Sequence, residues 1–356
     1  MLLDGVHVPL TTPFYPDGRV YARKLEHNVR RYSLTPVAGL IVLGEGSEVL
    51  SLGLAEQREI LRTVADTAAP EKVLTATLNQ GGCHPALIMA EHAANMQYDL
   101  LLLAPPPQWA NDIPALSTWF RVIADGAPLP CLLASRCGGS ALPIDLLADL
   151  AAHPNVLGVL EQSQHISRVA DLRDATSSVR RSVTTTITFT AATRRMLRPP
   201  QAELSASASG FVSAAALSAG SATATSTAAI LEAPAVPQLR TRTKQVGSQI
   251  LWAHAVDSTE ALRAGAAGIA TPVAASIPQA VFEIWAAWKD GDTSLMREKQ
   301  GRVAAIEPTL LAGGPALVKS GAELSGYFGG RPRLPLVAPT AEAQQELAAA
   351  LHGMRS

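Results

Sequence analysis

The chain has 356 residues, with 29 Lys and Arg against 30 Asp and Glu and a formal net charge of −1 at pH 7. That balance gives no overall basic face for nucleic acid, and no run approaches the ~20 apolar residues of a membrane-spanning helix. Cys83, Cys131 and Cys137 have neither zinc-finger nor disulfide spacing, and the N-terminus lacks signal-peptide order, so a soluble cytoplasmic protein with reduced thiols is expected.

Short apolar runs recur at 5–10, 39–44, 72–78, 99–104, 129–134 and 155–160. Each is apolar on both faces, as parallel strands covered on both sides must be. Helical stretches lie between them. Residues 55–68 put Ile60, Leu61, Val64 and Ala68 on one face. Residues 85–97, 113–125 and 143–152 read similarly, with Pro85 and Pro143 as helix openers. This alternation predicts repeated βαβ units. The rhythm resumes at 249–254 and 267–271, followed by a helix over 278–289. Eight strands make a closed (β/α)8 barrel, typically ~250 residues and extensible by insertions. Helices over 294–305 and 309–325 begin a C-terminal helical extension spanning 294–356.

Segment 180–247 interrupts this pattern as an insertion between helix six and strand seven. It opens on the β-branched run Val183 to Phe189, then the basic turn Arg194–Arg195–Met196, and carries no charge from Leu204 to Leu231. Two forms fit the latter stretch: a small-residue helix pair packed on the barrel, or a partly ordered surface excursion. Lying before strand seven, the insertion should leave from the barrel face opposite the active site.

Several motifs stand in order. The first strand reads Val8-Pro9-Leu10-Thr11-Thr12-Pro13-Phe14, and the second ends Gly44-Glu45-Gly46-Ser47-Glu48. Strand six follows His153-Pro154-Asn155 and runs through Gly158-Val159. Lys319, Gly326-Tyr327 and Gly330-Arg331-Pro332-Arg333 come near the end. Together these resemble the dihydrodipicolinate synthase/N-acetylneuraminate lyase family of class I aldolases and lyases. The resemblance implies a (β/α)8 barrel with a helical appendix, assembled as a homo-oligomer (a dimer or tetramer). It also implies a strand-six lysine that forms a Schiff base with a 2-oxo acid, the imine serving as electron sink.

Here the chain departs from the family pattern. The lysine position is Leu160, in Gly158-Val159-Leu160-Glu161. The strand-five relay tyrosine is replaced by Ala134, and the Gly-Thr-Thr-Gly-Glu carboxylate turn by Gly44-Glu45-Gly46-Ser47-Glu48. The family arginine aligns with Gly139, with Arg136 as its stand-in. Leucine has no nucleophile, so the imine cannot form at that position.

Polar residues at strand C-termini are the remaining active-site candidates on a barrel: His7, Glu45, Glu48, Asn79, Glu161 and His254. Such a His/Glu group suits acid–base work or a divalent metal. Gly44, Gly46, Ser47, Arg136 and His254 are candidate substrate contacts. Glu45, Glu48 and Glu161 are expected at the mouth with Arg136 as the only nearby counter-charge. Lys244, Lys319 and Cys137 are weaker candidates for a relocated nucleophile. The reading is a lyase- or aldolase-like barrel for a small 2-oxo-acid-like or sugar-acid-like compound, with the standard reaction altered. The alternative is a catalytically inactive barrel that acts as a binding or assembly subunit.

Overall fold

The computed structural model describes residues 1–197, 239–352 and 354. In chain order the strands are β1 (Gly5–Pro9), β2 (Gly39–Val42), β3 (Val73–Leu78), β4 (Leu100–Leu103), β5 (Cys131–Ala134), β6 (Arg136–Cys137), β7 (Ser140–Ala141), β8 (Val156–Glu161), β9 (Arg181–Thr186), β10 (Thr241–Val246), β11 (Gln249–Trp252) and β12 (Gly268–Ile269). The order β1-β12-β11-β8-β5-β4-β3-β2 closes on itself, so eight parallel strands form the barrel. β6 pairs with β7, and β9 with β10, as separate antiparallel ribbons.

Eight helices alternate with the barrel strands: α1 (Ala22–Ser33), α2 (Leu54–Thr67), α3 (Cys83–Asn95), α4 (Ile113–Gly126), α5 (Ile144–Ala151), α6 (Ser167–Ala175), α7 (Ser258–Ala264) and α8 (Pro278–Lys289). The appendix is α9 (Thr293–Ala304), α10 (Glu307–Ala312), α11 (Gly314–Leu324) and α12 (Ala341–His352). The single helix expected over 309–325 is therefore two. The break falls at Gly313, which serves as C-cap of α10 and N-cap of α11; the next residue, Gly314, takes φ +55°, a left-handed conformation that favours glycine.

Strand alternation sorts the core into two parts. Outward residues such as Val6, Val8, Leu40, Leu101, Leu133, Val159 and Trp252 pack beneath the helices in one large cluster. Inward residues Ile41, Leu100, Leu102, Leu132, Ala134, Leu160, Leu251, Ala253 and Ala270 fill the barrel itself. Two glycines make closure possible. A β-carbon at Gly158 would run into the backbone carbonyl of Gln249, and one at Gly268 into that of Gly5. These are the seams where the sixth strand meets the seventh and the eighth meets the first.

The described part of the insertion grips the loops that lead into strands. Arg181 donates to the carbonyls of Ala151 (2.5 Å), His153 (2.7 Å) and Pro154 (2.9 Å), just before β8. Arg195 donates to Ala68 (2.9 Å), Ala69 (2.9 Å) and Lys72 (2.6 Å), just before β3. The ribbon thus lies at the strand N-termini, opposite the barrel mouth. The uncharged stretch from Leu204 to Leu231, read above as a helix pair or an excursion, lies outside the described residues.

Candidate functional site at the barrel mouth

The C-terminal ends of the strands bring Ala134 and Leu160, the two positions read from the sequence as departures, side by side. Ala134 and Leu160 are register partners across β5 and β8, and Leu160 pairs with Leu251 on β11. Both point inward and are buried in the apolar filling. The floor of the mouth is hydrocarbon.

Its rim is polar but mostly uncharged. The Gln162 amide, one residue past β8, donates to Glu45 Oε1 at 3.2 Å, and its carbonyl lies 3.1 Å from His254 Nε2. Residues from after the second, sixth and seventh strands therefore meet at Gln162. Gln162 Oε1, Thr11 Oγ1 and Thr77 Oγ1 are buried without a hydrogen-bond partner. A β-carbon at Gly44 would stand 3.4 Å from Thr77 Oγ1, and one at Gly46 4.0 Å from Thr11 Cγ2. The glycine turn and the two threonines thus share one corner. Buried polar groups are normally satisfied, so each of these three atoms is open to a partner that the described residues do not supply. Sequence reasoning passed over all three, although each lies at or just beyond the C-terminal end of its strand.

Other candidates face elsewhere. Glu161 follows inward-facing Leu160, so it turns outward and is fully buried. It accepts from Ser135 Oγ (2.9 Å), Ser163 N (2.8 Å) and Arg168 Nε (3.3 Å). Glu48 is ion-paired with Lys319 and accepts from Arg333 N at 2.7 Å. Arg136 is not their counter-charge: it folds back to the Gly139 carbonyl at 2.8 Å. Arg168 and Lys319 fill that role, so Glu45 alone of the three glutamates stands exposed at the mouth. Ser47 Oγ is spent on the Gly44 carbonyl at 2.7 Å, which pins the turn.

His7 lies deep in the barrel, with Nε2 donating to the Leu3 carbonyl at 3.1 Å, toward the strand N-termini. Burial lowers its pKa to about 4. The buried Cys137 thiol is pushed up by burial and turned toward the Pro106 carbonyl at 3.3 Å, which leaves it a poor nucleophile. Lys244 is on the ribbon at the opposite end. Among the described residues no three His, Cys, Asp or Glu side chains gather as a metal-binding group, and no helix is long and apolar enough to cross a membrane.

This combination of closed eight-stranded barrel, mouth and helical appendix defines a class. The profile of the dihydrodipicolinate synthetase family matches residues 2–184 and 227–354. The chain belongs to that family. Among curated relatives, 4-hydroxy-tetrahydrodipicolinate synthase of Natronomonas pharaonis is 27% identical over 174 residues, covering 48% of this chain and 59% of the relative. N-acetylneuraminate lyase of Rhizobium meliloti is 27% identical over 178 residues, covering 49% and 59%. The matches thus span about three fifths of those relatives' length. Dihydrodipicolinate synthase of Aquifex aeolicus superposes with a TM-score of 0.74 at 16% identity, covering 99% of this chain and 98% of the other. The E. coli K12 family member YagE, solved in complex with pyruvate, gives 0.75 at 16%, covering 100% and 99%. At such identity these structures establish the fold alone.

Proposed function

We propose that this barrel binds a small 2-oxo-acid-like or sugar-acid-like compound at its mouth and does not perform imine chemistry. The observation that carries this reading is the apolar floor, where Leu160 and Ala134 pack against each other. An imine needs an amine at the reacting carbon. The two buried lysines offer no substitute: Lys319 is sealed against Glu48, and Lys72 donates to the carbonyls of Thr35 (2.7 Å) and Val37 (2.9 Å). The free hydrogen-bonding groups, Thr11, Thr77 and Gln162, are neutral, and Glu45 beside them repels an anion. Hydroxyl-rich compounds suit this rim better than bare pyruvate does.

Incubation with pyruvate and borohydride, followed by intact-mass measurement, should leave the chain unmodified. A stoichiometric reduced adduct would refute the reading. A lyase reading keeps one foothold, because His254 and Glu45 flank Gln162 and could exchange a proton with a bound hydroxy acid. Turnover of any such acid that disappears in His254→Gln would favour it.

The same proposal includes assembly with further copies of the chain. Leu50, Leu334 and Val337 are 90%, 78% and 73% exposed, and Leu50 and Leu334 line one apolar groove beside the mouth. Such exposure suits a covered surface. Sedimentation should give a dimer or larger, and Leu50→Asp should shift it toward monomer; a wild-type monomer at micromolar concentration would remove this part.

A further inference from the structure

The near-zero total charge conceals a division. Segment 180–247 holds eight Arg and Lys with two Glu, which leaves 21 basic and 28 acidic residues for the rest of the chain. Among the described residues from 175 to 256 there is no Asp or Glu. Three of the described cations in that segment are used internally. Arg181 and Arg195 hold the strand-leading loops, and Arg180 donates to Ser177 O (2.6 Å) and Val179 O (2.9 Å). Among the described residues, no carboxylate pairs with the side chains of Arg194, Arg240, Arg242 or Lys244.

Three of these four form a row. β10 is exposed along Thr241–Gln245 and, among the described residues, pairs with β9 on one edge only, so its other edge presents backbone N–H groups with no described strand partner. Strand alternation puts Arg242 and Lys244 on one face, about 7 Å apart, with Arg240 continuing the line. The Arg242 guanidinium lies 3.8 Å from the ring centroid of Phe189, which is 51% exposed. A cationic row, backbone donors along a strand edge and a planar stack at one end are the parts that hold an unpaired polynucleotide: phosphates along the row, a base on the stack.

We propose that the β9–β10 ribbon binds single-stranded nucleic acid without sequence preference, at the barrel end opposite the mouth. A basic row also attracts an anionic lipid surface. That mode also draws on exposed apolar side chains, and Ile187 is 55% exposed beside the row, so preference for vesicles is the competing outcome of the test. The acidic remainder of the chain confines the contact to the ribbon.

The test uses the full chain and a fluorescein-labelled oligothymidylate of about 15 nucleotides, read by anisotropy across a salt series. Binding at low salt should be micromolar. Three or four phosphate contacts, each worth ~0.7 in the salt slope of a single strand, give a slope of about −2 to −3. Arg242→Ala with Lys244→Ala should reduce that slope by about 1.4. Phe189→Ala should weaken binding at least fivefold at nearly unchanged slope, since stacking is not ionic. All three side chains are on an exposed ribbon, so an unchanged melting temperature is expected and certifies the fold. No binding at low salt, binding indifferent to these substitutions, or preference for phosphatidylserine vesicles or duplex over the oligomer would each overturn the assignment.

Discussion

Replacing Lys319 by methionine should cost about 3–5 kcal/mol of stability, the scale for removing one partner of a buried ion pair. Both side chains of the Lys319–Glu48 pair are almost entirely buried. The ammonium also donates to Arg331 O at 3.2 Å and lies 4.2 Å from the centroid of the Phe14 ring. Methionine fills similar volume and leaves the Glu48 carboxylate without its cation, so the loss comes from the abandoned charge. The pair also ties the turn after β2 to α11. Alongside it, Arg333 binds both Glu56 oxygens, at 2.9 and 2.6 Å. The double variant Lys319→Met with Glu48→Leu should regain much of the loss. Equilibrium urea unfolding measures both, and a single variant with the wild-type midpoint would remove the pair from the account of stability.

Acidification should destabilise the fold by about 3 kcal/mol through His7 alone, taking 1.36 kcal/mol per pKa unit. Burial holds the folded imidazole at about 4, against 6.5 in the unfolded chain. Between those values the unfolded state binds the proton and the folded state does not. The contribution is therefore fully present above about pH 6.5 and is lost as pH falls toward 4. Its Nδ1 is buried without a partner, so nothing nearby accepts a second N–H. Unfolding free energies measured across this window should show the slope, and His7→Gln should flatten it. An equal slope in His7→Gln would assign the effect to other groups.

The barrel was legible because a parallel strand covered on both faces has a run of apolar residues that few other elements share. All eight runs became strands, though the last shrank to Gly268–Ile269. α1 was harder to see: only Leu25, Val29 and Tyr32 of its mostly polar sequence are apolar and buried. At the site, the motif register put Leu160 and Ala134 together because both inherit fixed places on neighbouring strands. Glu161 was misread, although alternation already sends the residue after an inward leucine outward. The partners Arg168 and Lys319 were not legible, since long-range ion pairs leave no spacing signal and Lys319 meets Glu48 only when the appendix docks. The total of −1 was misleading for a related reason: a sum over the chain says nothing about where charges reside.

The β9–β10 pairing brings Thr186 and Thr241 directly opposite each other. The 54 residues between them therefore begin and end side by side, and within them Thr193, Arg194 and Arg195 are bonded to Pro70, Asp99 and the loop before β3. Loop-closure entropy grows with the logarithm of length, so a flexible segment grafted between Leu197 and Leu239 should cost only about 0.6 kcal/mol more for each doubling of its length. Because Thr186 and Thr241 are held in register, a segment of different length can be joined there without changing the spacing of strands six and seven. The ribbon is a splice point, and the barrel could carry foreign sequence at the same junction.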